Sequence, residues 1–266
     1  MVGESPVRTA DATARQGVER IVASLRWPTL LRCFLRTYLV GANFNPRGLQ
    51  NMGLAYAMDP GLRALYENGR MLRRARKRYL HHYNTHPWWT PLLVGCFLHL
   101  EQRLEAGGLT PQNIISIRQT VTYTLSAIGD SFFGGSLLVG WALGAVVFLM
   151  QGMYAAAVLW LAGSLILLQV FKIWLFWVGV SQGMGFLQRL KRWNLINWGR
   201  RVKIGNALLA LVIVWQVFPV ALPEWAIVLW AGMLTVLAGL AARSRVWREI
   251  WIIGLCVVAL VGMLGV

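Results

Sequence analysis

The chain has 266 residues, of which 57% are hydrophobic, and a formal net charge of +16 at pH 7. Soluble domains usually contain about 45–50% apolar residues, so this composition excludes an ordinary soluble protein and predicts an integral membrane protein. A large positive charge can indicate nucleic-acid binding, but basic residues beside membrane spans are also the normal signal that keeps loops in the cytoplasm. We therefore predict contact with membrane lipid and no nucleic-acid partner.

The first forty residues place apolar positions at helical spacing among basic ones, and Pro28 predicts a division into two helices. No apolar stretch of the signal-peptide type opens the chain, so we expect the N-terminus to lie in the cytoplasm. The basic positions suit an amphipathic helix that rests on anionic lipid headgroups, and packing against a partner subunit explains them equally well. These positions are Arg20, Arg26, Arg32 and Arg36.

Turn-forming residues follow at Asn43–Gly48, and the pair Asp59-Pro60 predicts the start of another helix. The run Arg70–Arg78 is densely basic and indicates a solvated or lipid-facing surface, or a docking face for an acidic or phosphorylated protein. Four histidines follow, but no cysteine or carboxylate completes a ligand set, so we predict no metal site and no cofactor. They are His81, His82, His86 and His99.

The segment Trp88–Leu100 is apolar but too short to cross a bilayer, because a transmembrane helix needs about 20 apolar residues. Its length is typical of a re-entrant hairpin or an interfacial helix. Backbone that enters the membrane without crossing it must be covered by protein or must line a wet cavity. The sequence therefore predicts a re-entrant or interfacial hairpin near residues 88–100, beside a cavity or a partner.

Five later apolar runs are long enough to span the membrane. They are Phe132–Gly152, Ala155–Val180, Ile204–Ala221, Trp225–Ala241 and Glu249–Val266.

The distribution of charge along the chain is consistent with five membrane spans. Sixteen Lys and Arg residues precede residue 119, six lie in the loop 181–203 and three in the turn 242–248, whereas the turns at 152–154 and 222–224 have none. Five crossings from a cytoplasmic N-terminus place every basic loop inside and the C-terminal Val266 outside. The predicted fold is an all-α integral membrane protein, with a cytoplasmic or interfacial helical region in residues 1–118 and a transmembrane region in residues 119–266.

Three stretches of the chain carry a resemblance to a known family. Residues Arg36–Met58 contain an aromatic-Asn pair and a Gln (Phe44, Asn45 and Gln50), residues 81–87 end in Asn-Thr-His-Pro, and residues 127–136 read A-I-G-D-S-F-F-G-G-S. Together, in this order, they resemble the IID membrane subunit of the mannose/fructose/sorbose family of bacterial sugar phosphotransferase systems. A weaker likeness continues through V-G-V-S-Q-G at residues 178–183 to the apolar C-terminal pair.

The resemblance implies a division of labour among subunits. IIC and IID together form the translocator in the bacterial cytoplasmic membrane, and soluble IIA and IIB relay phosphate on histidines from phosphoenolpyruvate to the sugar. IID itself carries no phosphohistidine in this family, and here no nucleophile, base and orienting group occur together, so we expect a non-catalytic subunit. The basic cytoplasmic face would then dock IIB.

The resemblance also places polar residues on the sugar path at the boundary with IIC. Amides, hydroxyls and carboxylates supply the donors and acceptors that sugar hydroxyls need once water is removed. For Asn45 and Asn84, turn formation is an equally good explanation. Lys172 lies about 12 Å inside its span and is expected to pair with Asp130. The predicted path residues are Asn45, Gln50, Asn84, Thr85, His86, Asp130, Ser131 and Ser136.

The chain departs from the family pattern near this predicted path. Relatives usually continue the Gly-Asp-Ser motif into Leu-Arg-Pro, whereas this chain has Leu137-Leu138-Val139, and Arg47-Gly48 stands where the family has Glu-Arg. A charge and a helix-shaping proline are therefore missing. The alternative to a transporting subunit is a transport-deficient homologue that serves as a membrane-anchored regulatory or scaffold protein.

Overall fold

The computed structural model of the protein describes residues 25–217 and the single positions 228, 232, 235 and 236. Short 3-10 turns occupy Thr37–Ala42 and Lys191–Trp193, and a π-helix occupies Asp130–Leu137 between two of the α-helices. The α-helices are α1 (Trp27–Arg36), α2 (Asn51–Leu65), α3 (Gly69–Tyr79), α4 (Thr90–Glu105), α5 (Pro111–Gly129), α6 (Leu138–Met150), α7 (Tyr154–Gln182), α8 (Met184–Leu190) and α9 (Leu195–Val217).

The described part of the chain is helical and contains isolated β-bridges but no strand. Contacts divide the chain into two compact units, Met1–Ile213 and Val214–Val266. The boundary expected between residues 118 and 119 is not a break in the structure, because it falls inside α5. All the contacts described below belong to the first unit.

Helix α4 is the core of this unit. Every residue from Thr90 to Gln102 is buried, and the segment is a single helix of 16 residues, about 24 Å long. Of the two shapes expected near residues 88–100, the structure has a helix and not a two-limbed hairpin, and this helix is surrounded by protein. Its position relative to the membrane stays a prediction. An apolar run of this length also suits a buried core helix, and that alternative holds here.

Helices α4 and α7 approach each other backbone to backbone at two glycines. A Cβ atom on Gly95 would lie 2.8 Å from the Val180 nitrogen, and one on Gly179 would lie 2.5 Å from the Leu92 carbonyl oxygen. Small residues allow helix axes to come this close, which increases van der Waals contact where no hydrophobic effect is available. The crossing therefore depends on glycine at both positions.

Helix α2 continues through Pro60, so the expectation that Asp59-Pro60 opens a new helix is wrong. Proline has no N–H, which leaves the carbonyl of Tyr56 without its usual donor within the helix. The Arg36 guanidinium supplies the missing donor, with Nη1 3.0 Å from the Tyr56 oxygen, and it also lies 4.1 Å from the centre of the Tyr56 ring. A side chain from α1 therefore allows the helix to pass the proline.

Two helices of the described residues are long and apolar enough to cross a membrane. One is the continuous helix Pro111–Met150, formed by α5, the π-helix and α6; the other is α7. The span expected at Phe132–Gly152 is thus the second half of a helix of 40 residues. The expected span Ile204–Ala221 begins inside α9, and those at Trp225–Ala241 and Glu249–Val266 lie outside the described residues apart from four single positions.

Candidate functional site

Hydrogen bonds between main-chain atoms hold the first two motifs together. The Gln50 N–H donates to the Tyr83 carbonyl at 2.8 Å, and the Tyr83 N–H donates to the Gly48 carbonyl at 3.1 Å. The Gln50 side chain completes the pairing, because its Oε1 accepts from the Thr85 N–H at 3.3 Å. Gln50 therefore positions the Asn-Thr-His-Pro turn by direct contact.

Asn45 forms the turn that makes this pairing possible. Its Oδ1 accepts from the Gly48 N–H at 2.9 Å, and its Nδ2 donates to the Leu49 carbonyl at 3.1 Å and to Asn51 Oδ1 at 2.8 Å. Leu49 has a positive φ of 57°, a strained conformation that needs such local support. The amide of Asn45 is used within the turn, as the turn-forming interpretation of this residue requires.

The Gly-Asp-Ser motif folds as the π-helix Asp130–Leu137 within the long helix. π-helical segments within α-helices are frequently found at functional sites. Ser136 is fully buried, and its Oγ donates to the carbonyl of Ser131 at 2.9 Å or to that of Gly199 on α9 at 3.2 Å. Asn206, also on α9, donates from Nδ2 to the Ser136 carbonyl at 2.8 Å. Ser136 is therefore a packing contact between the π-helix and α9.

The π-helix packs directly on the Asn-Thr-His-Pro turn through the ring of Phe133. Its centroid lies 5.3 Å from that of His86, 4.6 Å from that of Trp88 and 5.0 Å from that of Trp89. Next to it, Gly129 is so close to the turn that an added Cβ would lie 2.8 Å from Trp89 Cδ1. The structure thus brings all three motifs into one continuous assembly.

Six of the eight predicted path residues fall into two groups. Asn45, Gln50 and Ser136 use their side chains in internal hydrogen bonds. Asn84 is half-buried, Asp130 and Ser131 are exposed, and the side chains of these three make no hydrogen bond to the part of the chain that is described. The second group therefore has polar atoms free to bind a ligand.

Thr85 and His86 belong to neither group. The Thr85 hydroxyl is buried and has no hydrogen-bond partner among the described residues, and His86 Nδ1 accepts from the Trp88 N–H at 3.4 Å.

The expected ion pair between Asp130 and Lys172 is absent from the described residues, since no carboxylate oxygen lies within 4.0 Å of the Lys172 amine. The Lys172 Nζ lies instead 4.4 Å from the centre of the Tyr38 ring. A ring face attracts a cation without forming an ion pair, which explains how a lysine in a span is accommodated.

His86 lies outside the two candidate spans but is affected by both charges. Burial lowers the pKa of its imidazole, while Asp130 raises that pKa and Lys172 lowers it. Both charged groups therefore act on the same ring.

Sequence reasoning missed several buried polar groups beneath the turn. Arg118 is 1% exposed, and its Nη1 donates at 3.4 Å to the carbonyl oxygens of His81 or His82, while Nε and Nη2 have no hydrogen-bond partner in the described structure. One turn further along α5, the Thr122 hydroxyl is also buried without a partner. The sequence could have indicated Arg118, because it is the one charged residue of α5 and isolated charges in membrane-spanning helices tend to serve function.

A family model for the "PTS system mannose/fructose/sorbose family IID component" matches residues 24–215, which is well over half of the chain. The chain belongs to this family. As a IID component it is a membrane protein of a mannose-family phosphotransferase permease. The three motifs and the assembly they form all lie within the matched range.

Curated relatives agree with this assignment. The fructose permease IID component of Bacillus subtilis (strain 168) is 29% identical over 105 residues, and the mannose-specific EIID component of Escherichia coli (strain K12) is 31% identical over 106 residues. Each alignment covers 39% of this chain and 38% of the relative. The chain therefore matches less than half the length of these relatives.

Two solved structures share the fold. One, described as the structure of a membrane protein, covers 90% of this chain and 97% of its own, with a TM-score of 0.66 and 20% identity. A chain from the mannose transporter ManYZ in complex with a microcin covers 90% of this chain and 96% of its own, with a TM-score of 0.54 and 22% identity. At these identities the likeness concerns the fold alone.

Proposed function

We propose that this IID chain combines with a IIC membrane subunit to form the translocator for a sugar. Soluble IIA and IIB would relay phosphate from phosphoenolpyruvate, and IIB would phosphorylate the sugar, with no phosphohistidine on IID. The solved ManYZ transporter, whose fold this chain shares, supports the pairing with a second membrane subunit. The setting we propose is the bacterial cytoplasmic membrane, with several passes, the N-terminus inside and the C-terminus outside.

The observation that carries the proposal is the assembly of the three motifs around the π-helix. Asn84, Asp130 and Ser131 present polar atoms at this place that no internal hydrogen bond uses. Sugar hydroxyls require such donors and acceptors. Asn45, Gln50 and Ser136 hold the segments that carry these polar atoms in position. We therefore assign sugar contact to the residues with unused polar atoms, and a supporting role to the residues that use theirs in internal hydrogen bonds. The contact residues are Asn84, Asp130 and Ser131, the supporting residues are Asn45, Gln50 and Ser136, and Thr85 and His86 flank the contact residues.

The test is phosphoenolpyruvate-dependent uptake of labelled sugar in cells that contain the cognate IIA, IIB and IIC proteins. We expect Asp130→Asn to lower uptake by about tenfold or more, because a hydrogen bond to a charged group contributes about 1.5–3 kcal/mol. Asn84→Ala should lower uptake by up to about tenfold, because a neutral hydrogen bond contributes about 0.5–1.5 kcal/mol. The matched controls are Glu105→Gln and Asn113→Ala, which change exposed residues at the end of α4 and the start of α5. Membrane levels are measured for every variant.

Uptake at the unaltered level in both site variants would overturn the assignment of these residues and leave the family membership intact. Orientation is tested separately by reporters fused in the turn at Gly152 and after Val266. A reporter after Val266 that is active only in the cytoplasm would overturn the five-pass arrangement.

The regulatory or scaffold homologue remains the second candidate function, and one observation favours it. Leu138 and Val139 begin α6 at 46% and 43% exposure, at the position where relatives carry Arg-Pro. If this chain co-purifies with a IIC protein while the wild type supports no uptake of any sugar, the scaffold function replaces the transport function.

A further inference from the structure

A cavity of about 410 Å³ opens between α1 and α2, away from the motif assembly. Ligand pockets in proteins commonly have volumes of about 300–1,000 Å³. The polar side chains in its wall are those of Thr29, Arg32, Arg36, Asp59 and Arg63. Three positive groups against one negative group give the lining a net charge of +2, so the cavity favours an anion.

The single carboxylate, which this net charge already includes, is shared among Arg36 at 4.0 Å, Arg63 and Arg76, so an excess of positive charge remains. Asp59 accepts from Arg63 Nε at 2.8 Å and from Arg76, which lies outside the cavity lining, at 2.7 Å. Arg36 is held by the Tyr56 carbonyl and ring. Arg32 has no ion pair or hydrogen bond within the described range, so its guanidinium is available to a ligand.

An apolar ridge on α1, one residue out of step with the arginines Arg32 and Arg36, identifies the kind of anion. Trp27, Leu31 and Leu35 are 71%, 41% and 55% exposed, and their four-residue spacing places them on one face of the helix. Arg32 and Arg36, each one residue further on, lie on the adjacent face, where the cavity is. A soluble phosphate would use the arginines alone, whereas a phospholipid would use both the arginines and the ridge.

We propose that this cavity binds the phosphate of an anionic phospholipid, with the acyl chains lying along Trp27, Leu31 and Leu35. Arginine suits this role because its planar guanidinium donates two parallel hydrogen bonds to phosphate oxygens. Arg32 is the arginine of the lining whose guanidinium is free to turn toward the ligand, while Arg63, which is paired with Asp59, and Arg36 supply fixed positive charges beside it. The proposal is independent of sugar transport and requires only that the protein resides in a membrane.

The test uses the full-length protein in detergent, titrated with dioctanoyl phosphatidylglycerol and followed by its thermal unfolding temperature and by lipid adducts in native mass spectrometry. Dioctanoyl phosphatidylcholine, glycerol phosphate and inorganic phosphate are titrated in parallel. The cavity variant is Arg32→Gln with Arg63→Gln. The control variant, Arg73→Gln with Arg74→Gln, removes two exposed arginines from α3 and therefore changes the net charge equally.

We expect phosphatidylglycerol to raise the unfolding temperature of the wild type and of the control, and its apparent affinity for the cavity variant to fall about tenfold or more. An equal affinity for all three proteins, or an equal loss in both variants, overturns the site. An equal response to glycerol phosphate or inorganic phosphate overturns the lipid as the ligand. If the cavity variant instead loses only its co-purification with a IIC protein, the ridge is a protein interface and the proposal is wrong.

Discussion

Two buried arginines of this chain, Arg78 and Arg118, are satisfied to very different degrees. Arg78 forms an ion pair with Glu101, whose other hydrogen bonds come from Tyr66 at 2.7 Å and Tyr79 at 2.8 Å. Arg118 has no carboxylate partner within the described structure and uses only one of its nitrogens. Burying a charge is unfavourable unless it is paired and hydrogen-bonded.

The difference separates a structural region from a functional one. The Arg78 network joins α3 to the buried Glu101 of α4, where a complete set of partners fixes one arrangement. Arg118 lies beneath the motif turn, in the region where the hydroxyls of Thr85 and Thr122 are also buried without a hydrogen-bond partner among the described residues. Unsatisfied polar groups near a proposed ligand path are typical of function, which is often retained at some cost in stability.

The largest effect is expected from Glu101→Gln. This change leaves Arg78 as a buried charge without its counter-ion, and breaking such a pair typically costs about 3–5 kcal/mol. We expect a large fall in the free energy of unfolding in detergent, measured by chemical denaturation. The control is Glu105→Gln on the exposed end of the same helix, which should change stability by about 0.5 kcal/mol or less. Equal losses of stability in the two variants would remove the distinction between the fully paired region around Arg78 and the unpaired region around Arg118.

Gly179→Ala is expected to be the next most damaging change. Its Cβ would lie 2.5 Å from the Leu92 carbonyl oxygen and 3.0 Å from the Cys96 nitrogen, both of them backbone atoms of α4 that cannot easily move. Overpacking of this kind costs about 1–3 kcal/mol. Gly163→Ala in the same helix meets no atom within 4 Å and should be neutral or slightly stabilising. Comparable unfolding temperatures of the two variants would show that α4 is positioned by the Glu101 network alone.

Arg118→Met sharpens the comparison, because sugar uptake should fall while stability stays nearly unchanged. Replacing an unpaired buried charge by an apolar side chain of similar length should change the free energy of unfolding by about 1 kcal/mol or less. Sugar uptake should nevertheless fall about tenfold if Arg118 supports the motif turn. A loss of stability as large as that of Glu101→Gln would show that Arg118 is as fully satisfied as Arg78.

The smallest expected effect concerns the pH dependence of the Arg78 network. Burial, followed by the hydrogen bond to Glu101, raises the pKa of Tyr66 above its ordinary value of 10.0. The folded protein then keeps its proton where the unfolded chain has lost it, so this contribution to stability is complete below pH 10 and declines as the pH rises above it. We expect Tyr66→Phe to make stability less dependent on pH above 10. An unchanged dependence in unfolding curves would contradict the raised pKa.

Several features were predictable because they depend on local composition. The all-α membrane character followed from the apolar content. The family followed from three short motifs, all of which lie within residues 24–215, the range that the family model matches. The position of Asn45 in a turn was also accessible, since asparagine favours such backbone. The number and orientation of membrane passes stay predictions, because two of the five spans lie outside the described residues apart from four single positions.

Other features depended on contacts that no local pattern encodes. Pro60 predicted a helix start, yet Arg36, which lies 20 residues away on α1, supplies the hydrogen bond that lets α2 continue. The partner of Lys172 proved to be the Tyr38 ring rather than Asp130, because a ring face more than a hundred residues away offers an alternative to a carboxylate. The segment Trp88–Leu100 was ambiguous by length, and burial among other helices decided its shape.

The amino-acid sequence by itself determined that this chain enters a membrane and to which family it belongs, since both depend on which residues occur and in what order. The tertiary structure decided which polar residues support the site and which remain free to bind. That distinction arises because a hydrogen-bonding side chain has few donors and acceptors. Only the folded arrangement shows whether neighbours such as Tyr83, Gly48 or α9 have already used them.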